Sequence, residues 1–467
     1  MVIMMASRSP QTTPRGPRDS RGFVGEANGV ESPHHRRAFI MSEIGRREFL
    51  GVAIAAAGVT ILKPRVVWGS QANSAVRLGV LGCGGRGLSV TGSFLRNTGA
   101  VVTAIGDIFP DNLENGRKRL DEISEKLGKP LIDQSRMFRG PDAYQQLFAL
   151  KDLDALYIAT PPYFHPMHLE AALAAGKHVY LEKPVAVDVP GAKKVMELGE
   201  RAKGKLSLAV GLQIRHASPY VELARRIHAG EIGQPVSGQI HYFASAIGRP
   251  DWPNATPAER RLRNWVHDKT LSGDIIVEQN VHIIDVTNWM LRSHPVKAVG
   301  WGGRAGRTDK GDCWSHFNCV FTYPGDVHVT FASTQFGTAA WGVGMQYYGT
   351  KGIAEARYDS PVRIAGETKW EFPGLGRPEA VSQADAVTGN FRGALDDADR
   401  NKQKAFIDSI TSGNLLNEAT MGAESTIAGI LGRTAAYKGK EVTWEKVMNS
   451  KEKWDPKMDW KPFNVRP

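Results

Sequence analysis

"VRLGVLGCGGRGLSVTGSFLRN", residues 76–97, decides the fold. Its first six residues form a short apolar run suited to a buried strand. Gly82, Gly84 and Gly87 follow in G-x-G-x-x-G spacing. The residues from Leu88 then continue with the apolar spacing of a helix. Glycines placed this way permit a tight turn and close backbone approach to a pyrophosphate, and the helix N-terminus offers free N–H groups. Gly82, Cys83, Gly84, Gly85, Arg86 and Gly87 are therefore candidate cofactor contacts. Such a motif is weak alone, so its neighbours decide its value.

The next strand, "AVVTAIGD" (100–107), ends on Asp107, twenty residues past Gly87. An acid at that distance is placed to hold the ribose hydroxyls. Ile108 and Phe109 follow, with no basic residue for a 2′-phosphate, so the pattern favours NAD over NADP. A turn-forming Asp ahead of Pro110 is the plainer reading of the same residue. The alternation continues through the strand "DALYIATPP" (154–162) and the helix "HPMHLEAALAAG" (165–176). "KHVYLEKP" (177–184), a second helix and "LSLAVGLQ" (206–213) come next. Strand–helix alternation at this spacing predicts a parallel, doubly wound sheet. Ligands bind beyond the carboxyl ends of such strands. Thr160, Pro161, Pro162, His165, Glu182, Lys183 and Gln213 all fall at or just past those ends. Lys183 ends a buried strand, where desolvation disfavours its charge, so the position calls for a chemical reason.

"GCGGRG", "ATPPYFH" (159–165) and "LEKP" (181–184), in this order, resemble the glucose–fructose oxidoreductase, inositol dehydrogenase and rhizopine-catabolism family, Gfo/Idh/MocA. The likeness runs from about residue 76 to 440. It implies an N-terminal NAD(P)-binding Rossmann domain and a C-terminal α/β domain on a large, mostly antiparallel open sheet. That sheet commonly forms the family's oligomer interface, which implies a homo-oligomer, dimer or tetramer. The resemblance also places Lys183 beside the nicotinamide and the reacting carbinol, with a cis Lys183–Pro184 bond.

Residues 250–274, polar and turn-rich, read as a long loop carrying Trp252 and Trp265, whose faces suit sugar C–H surfaces or simple packing. "IIVEQNVHIIDVTNWML" (275–291) reads as a helix from about Glu278. A continuous helix would set Glu278, His282, Asp285 and Trp289 on one stripe. A Glu and a His one turn apart can share a proton and reach one substrate; a satisfied core His is the bland alternative. The family's dehydrogenases carry Asp-x-x-x-His here, the His acting on the substrate hydroxyl. This chain has Glu278 in place of the Asp, one methylene longer. The candidate catalytic set is thus Lys183, His282 and Glu278, with Tyr163, Arg215, Trp265 and Gln279 added as candidate substrate contacts. After residue 295, "VKAVGWGGRA", "HFNCVFTY", "DVHVTFASTQF" and "GVGMQYYGTKGIAEARY" read as strands of an antiparallel sheet. "NKQKAFIDSITSG" and "GAESTIAGILGRTAAYKG" read as helices ending on glycine, and "WDPKMDWKPFNVRP" as an irregular tail.

The chain of 467 residues exceeds one compact core, so two domains are expected. The division is a leader over 1–69, a nucleotide-binding domain over 70–213 and a substrate-binding and oligomerisation domain over 214–467. Within the leader, "SEIGRREFLGVAIAAAGVTIL" (42–62) sets Arg46-Arg47 before a short apolar run, and Val67 and Gly69 suit cleavage before Ser70. It resembles a twin-arginine export signal, which implies the export machinery as a partner and a periplasmic or otherwise exported product. An uncleaved lipid-embedded anchor is the alternative, and Met41 is a candidate start. Outside the leader the excess of basic residues is small and forms no stripe with interleaved aromatics, so no nucleic-acid partner is expected. Three cysteines make no disulfide framework, and no usual metal spacing occurs. The expected activity is hydride transfer between NAD and a secondary carbinol of a sugar, cyclitol or polyol. An exported enzyme would gain by keeping its NAD tightly bound, exchanging hydride between sugars or cleaving glycosides through transient oxidation. A sugar-binding protein without catalysis is the third reading.

Overall fold

The computed structural model describes residues 75–337, 342–375 and 392–463; the leader lies outside them. Six strands make the first sheet: β1 (Arg77–Leu81), β2 (Val101–Asp107), β3 (Met137–Arg139), β4 (Ala155–Ile158), β5 (His178–Leu181) and β6 (Leu208–Val210). Their order is β3-β2-β1-β4-β5-β6 and every pairing is parallel. β4 is buried along its whole length. Helices cover both faces of such a sheet, so its strands read as unbroken apolar runs rather than alternating ones. β3, "MFR", has no such run and was not foreseen. Helices Gly85–Asn97, Pro110–Lys126, His165–Ala174 and Val189–Ala202 make crossovers. The strand order reverses between β1 and β4, which opens a crevice at their carboxyl ends.

The second sheet has nine strands: β7 (Pro235–Ala244), β8 (Lys297–Gly303), β9 (His316–Tyr323), β10 (Val327–Gln335), β11 (Gly342–Gly349), β12 (Gly352–Arg357), β13 (Val362–Gly366), β14 (Trp370–Glu371) and β15 (Val442–Thr443). Their order is β14-β13-β12-β11-β7-β10-β9-β8-β15. Only the β7–β10 pair is parallel; the other pairings are antiparallel. Ile240, Tyr242, Phe321 and Phe331 point inward and are buried, under helices Val281–Leu291 and Ala419–Lys438. Thr330, Asn318 and Trp301 alternate with the inward set and lie exposed. This is the one-face-buried pattern of an antiparallel sheet.

Three expectations need correction. "GVGMQYYGTKGIAEARY" is not one strand but the hairpin β11–β12, turning at Thr350-Lys351. The strand β7, at the centre of the sheet, was missed altogether. The expected long loop holds helices Pro257–Arg263 and Lys269–Ser272, the first capped by Thr256, whose hydroxyl accepts from the Glu259 N–H at 3.2 Å. The first is "PAERRLR", with four charged residues of seven and a single large apolar one, Leu262, so it carries no apolar period to betray a helix. The helices expected near the C-terminus are present as Ala398–Ser412 and Ala419–Lys438, each ending at a left-handed glycine, Gly413 and Gly439. The first of them returns to the nucleotide half: Phe406 meets Phe94 at 6.3 Å and Tyr180 at 5.7 Å, both edge-on. Cys83, Cys313 and Cys319 are all buried free thiols.

Candidate active site

The glycine-rich turn divides its work among its three glycines. Gly82 has φ +99°, and a Cβ there would lie 2.6 Å from the Ala159 carbonyl. A Cβ on Gly87 would lie 2.0 Å from the Gly82 carbonyl, so this glycine seats the helix on the strand. Gly84 faces open space, with nothing within 4 Å of a modest side chain. Turn, open approach and helix packing are the three roles a dinucleotide loop needs. The helix opens at Gly85, exposed, with no side chain capping it, so its first turn can receive an anion. The loop therefore fits a bound pyrophosphate.

Cys83 takes part by its backbone alone: its thiol is buried, and its N–H donates to Asp107 Oδ2 at 2.7 Å. Asp107 also accepts from the Phe109 N–H at 2.9 Å and from Asn112 Nδ2 at 3.3 Å. Burial raises the Asp107 carboxyl above its ordinary range, against the pull of those donors. The acid thus ties the glycine loop to the end of β2, and the turn-forming role considered from sequence is present. Ile108 packs on an apolar cluster beside it.

Past β4, Thr160 bonds through its hydroxyl to His168 Nδ1 at 3.0 Å. Pro161 precedes, and Pro162 opens, the short turn Pro162–Phe164. His165 is fully buried, with Nδ1 2.7 Å from the Pro184 carbonyl and Nε2 2.7 Å from the Thr160 carbonyl. It therefore fastens the β4 end to the β5 end and has no free nitrogen for a ligand. Burial pushes its pKa down to about 4, and that of His168 to about 3.

Past β5, the Lys183–Pro184 bond is cis. Lys183 Nζ donates to the Glu278 backbone carbonyl at 2.6 Å and to its carboxylate at 3.0 Å. Glu182, by contrast, turns inward. Its carboxylate accepts from Arg86 Nε and from the Tyr157 hydroxyl, both at 3.0 Å. Arg86 in turn forms a two-bond pair with Asp399 at 2.8 and 2.9 Å, and reaches Gln213, itself buried, at 3.5 Å. Arg86, Glu182 and Gln213 therefore form an internal polar network linking the glycine loop, β5, β6 and a distant helix.

The expected continuous helix is broken. Ile275–Glu278 and Val281–Leu291 are separate helices. The Ile275 carbonyl receives both the Gln279 and the Asn280 N–H, each at 2.9 Å, so one residue is inserted in the turn. An extra residue rotates the next helix by about 100° about its axis, so the single stripe does not form. Glu278 goes to Lys183, and His282 stands buried with Nδ1 unpartnered. Burial and then the charges of Lys183 and Arg86 hold the His282 ring well below its ordinary pKa. Asp285 binds Arg215 through Nε at 2.9 and 3.0 Å and accepts from Ser425 at 2.7 Å. Arg215 also lies 5.5 Å over the Trp289 ring. Gln279 accepts from Gln335 at 3.2 Å and is buried. Tyr163 and Trp265 pack on an apolar cluster instead of standing free.

The sequence between 76 and 210 matches the model of the "Oxidoreductase family, NAD-binding Rossmann fold", and 220–355 matches the "GFO/IDH/MocA C-terminal domain". The chain belongs to the Gfo/Idh/MocA family. Among curated Gfo/Idh/MocA relatives, it is 28% identical to an inositol 2-dehydrogenase/D-chiro-inositol 3-dehydrogenase of Shouchella clausii, over 46% of this chain and 53% of that one. It is 30% identical to a glycosyl hydrolase family 109 protein of Streptomyces coelicolor, over 37% of this chain and 35% of that one. These matches span about half or less of the relatives' length. A Lactobacillus casei scyllo-inositol dehydrogenase, solved with NAD(H) and scyllo-inositol, shares the fold at TM-score 0.60 and 20% identity, over 79% of this chain and 99% of that one.

Two residues of this Gfo/Idh/MocA site escaped the sequence. Asp399 lies more than three hundred residues from its partner Arg86, so no local pattern could join them. Asn280 is fully buried with neither side-chain atom bonded. Its signal was faint: Asn280 follows Glu278 and Gln279, so one more polar residue did not stand out as the point where the helix breaks.

Proposed function

We propose that the chain transfers hydride between NAD and a secondary hydroxyl of a sugar, cyclitol or related polyol. The observation that carries this reading is the Lys183–Glu278 pair past the carboxyl end of β5, with buried His282 opening the next helix, in a fold whose glycine loop fits a pyrophosphate. NAD, when bound, supplies the hydride acceptor. The backbone from Gly82 to Gly87 would hold its pyrophosphate, Asp107 its ribose, and the Thr160–Pro162 turn would line the nicotinamide side. Glu278 fixes Lys183 Nζ through two oxygens, and the ammonium's third N–H would serve an oxygen that gains negative charge. His282 is kept neutral by burial and by two nearby cations, so it can accept the hydroxyl proton. A positioned base of this kind contributes roughly 10²- to 10⁴-fold. The name of the inositol dehydrogenase relative supports a cyclitol-like substrate.

The test is turnover of a sugar and cyclitol panel with NAD by Lys183→Ala and His282→Ala. Both variants should lose at least about a hundredfold in kcat/KM. Wild-type rates in both would reject the assignment, and binding without hydride exchange in the parent protein would favour a non-catalytic sugar-binding role.

A second reading keeps the same site and changes the net reaction. NAD would stay bound while the enzyme cleaves a glycoside through transient oxidation, or passes hydride between two sugars. The glycosyl hydrolase family 109 relative and the twin-arginine pattern of residues 42–62 support it. Export, and a homo-oligomer formed on the uncovered face of the nine-stranded sheet, belong to this proposal.

A further inference from the structure

Four separate stretches of chain converge on the far end of the proposed NAD crevice. Phe109 lies two residues past Asp107, where the adenosine end of a dinucleotide belongs in this fold. Phe109, Phe164, Leu262, Leu271 and Phe463 form one buried apolar cluster. Phe109 and Phe164 follow β2 and β4, Leu262 and Leu271 come from the 250–274 segment, and Phe463 comes from the tail.

The segment is clamped onto the nucleotide half. The Arg263 guanidinium lies 4.0 Å from the Phe109 ring and 4.5 Å from the Trp252 ring, a cation between two aromatic faces. It also donates to Asp111 at 2.7 and 2.9 Å, at the start of the helix that follows β2. Trp252 holds φ +49°, a strained value for a bulky residue, and its indole N–H is buried with no partner. The tail closes over the same place. Phe463 meets Phe109 edge-on at 6.1 Å, and Trp460 meets Phe164 at 5.8 Å. Arg261 bonds the Pro456 carbonyl, joining segment to tail. The tail is tied at its beginning, where the Trp454 N–H donates to Asp188 at 2.8 Å and the Trp454 ring lies 3.8 Å from the Arg433 guanidinium.

We propose that the Trp252–Leu271 segment and the Trp454–Phe463 tail form a clasp over the adenosine end of the NAD cleft, so that the dinucleotide stays bound while substrates exchange. The proposal rests on the NAD reading of the glycine loop. Its physical content is kinetic: NAD can leave only if the Phe109–Arg263–Trp252 stack opens and the tail aromatics separate. The aromatic contacts span Phe109, past β2, and Phe164, past β4, and the tail is anchored at Asp188, past β5. A retained cofactor in turn requires that every oxidation be matched by a reduction at the same site.

The experiment measures NAD release, not turnover. Full-length protein is loaded with NADH, and loss of bound nucleotide fluorescence is followed after mixing with excess NAD. Phe463→Ala, Arg263→Ala and the milder Trp460→Ala, at a half-buried position, are compared with the parent. Release should quicken by about tenfold or more in the variants, with cooperative unfolding retained. Trp460→Ala keeps the test open if either buried substitution fails to fold. Equal release from parent and Trp460→Ala overturns the clasp while leaving the NAD reading intact. Failure of both to bind NADH overturns the NAD reading and the clasp with it.

Discussion

Glu278 shows what one methylene does. The residue type and the spacing to His282 were legible, and the resemblance marked the place as an acid's. Its partner was not. A helix model sends Glu278 toward His282, whereas the inserted residue in the turn sends it to Lys183, at 3.0 Å through the carboxylate and 2.6 Å through the carbonyl. The carbonyl contact does not depend on side-chain length; the carboxylate contact does. A hydrogen bond to a charged group is worth about 1.5–3 kcal/mol. Glu278→Gln should therefore lower kcat/KM by roughly ten- to a hundredfold, with protein stability little changed. Glu278→Asp should fall between that and the parent. Equal steady-state rates for all three would remove the carboxylate from the mechanism. Lys183 itself was singled out because a cation at a buried strand end needs a partner, and that argument required no structure.

At the scale of elements, the parallel strands announced themselves by apolar runs, and the terminal helices by their period and closing glycines. β7 did not, because its Pro235 and Gly238 read as punctuation and the apolar Phe243 on the outer face blurs the alternation. The helix Ala398–Ser412 was visible as a helix, but not its address. It stands against the helix Gly85–Asn97, bonding Ser93 to Gln403 at 2.5 Å, and delivers Asp399 to Arg86. Its anchor is Phe406, fully buried between Phe94 and Tyr180. Phe406→Ala should cost about 3–5 kcal/mol in urea unfolding. Leu131→Ala, at a 53% exposed side chain, should stay within about 0.5 kcal/mol. Equal midpoints for the two would place the helix outside the cooperative unit.

For the molecule as a whole, acid should act first through histidines. His165, His168 and His282 are all held below their ordinary pKa by burial. In each case the unfolded chain takes up the proton before the folded one. Stability from these rings is therefore complete above about pH 6.5 and falls as pH drops below it. With folded values of about 4 and about 3, His165 and His168 should each cost about 2 kcal/mol by pH 5. Asp107 and Asp274, whose carboxyls burial raises, act in the opposite sense nearer pH 4. Urea midpoints at pH 7.5, 6.0 and 5.0 should fall in that order; a flat series would show that the rings take up protons equally in both states.

The residues alone determined the parallel sheet, the nucleotide loop and the motifs of the family likeness, and singled out Lys183; His282 was singled out through that likeness. These depend on short-range pattern: apolar period, glycine spacing and a charge at a strand end. Tertiary structure alone decided the partners. It placed Glu278 on Lys183, Asp399 on Arg86 and the tail aromatics on Phe109, because those contacts join positions that no local period connects. Their geometry comes from how two sheets and their helices pack, and a single inserted residue in one turn is enough to redirect a side chain.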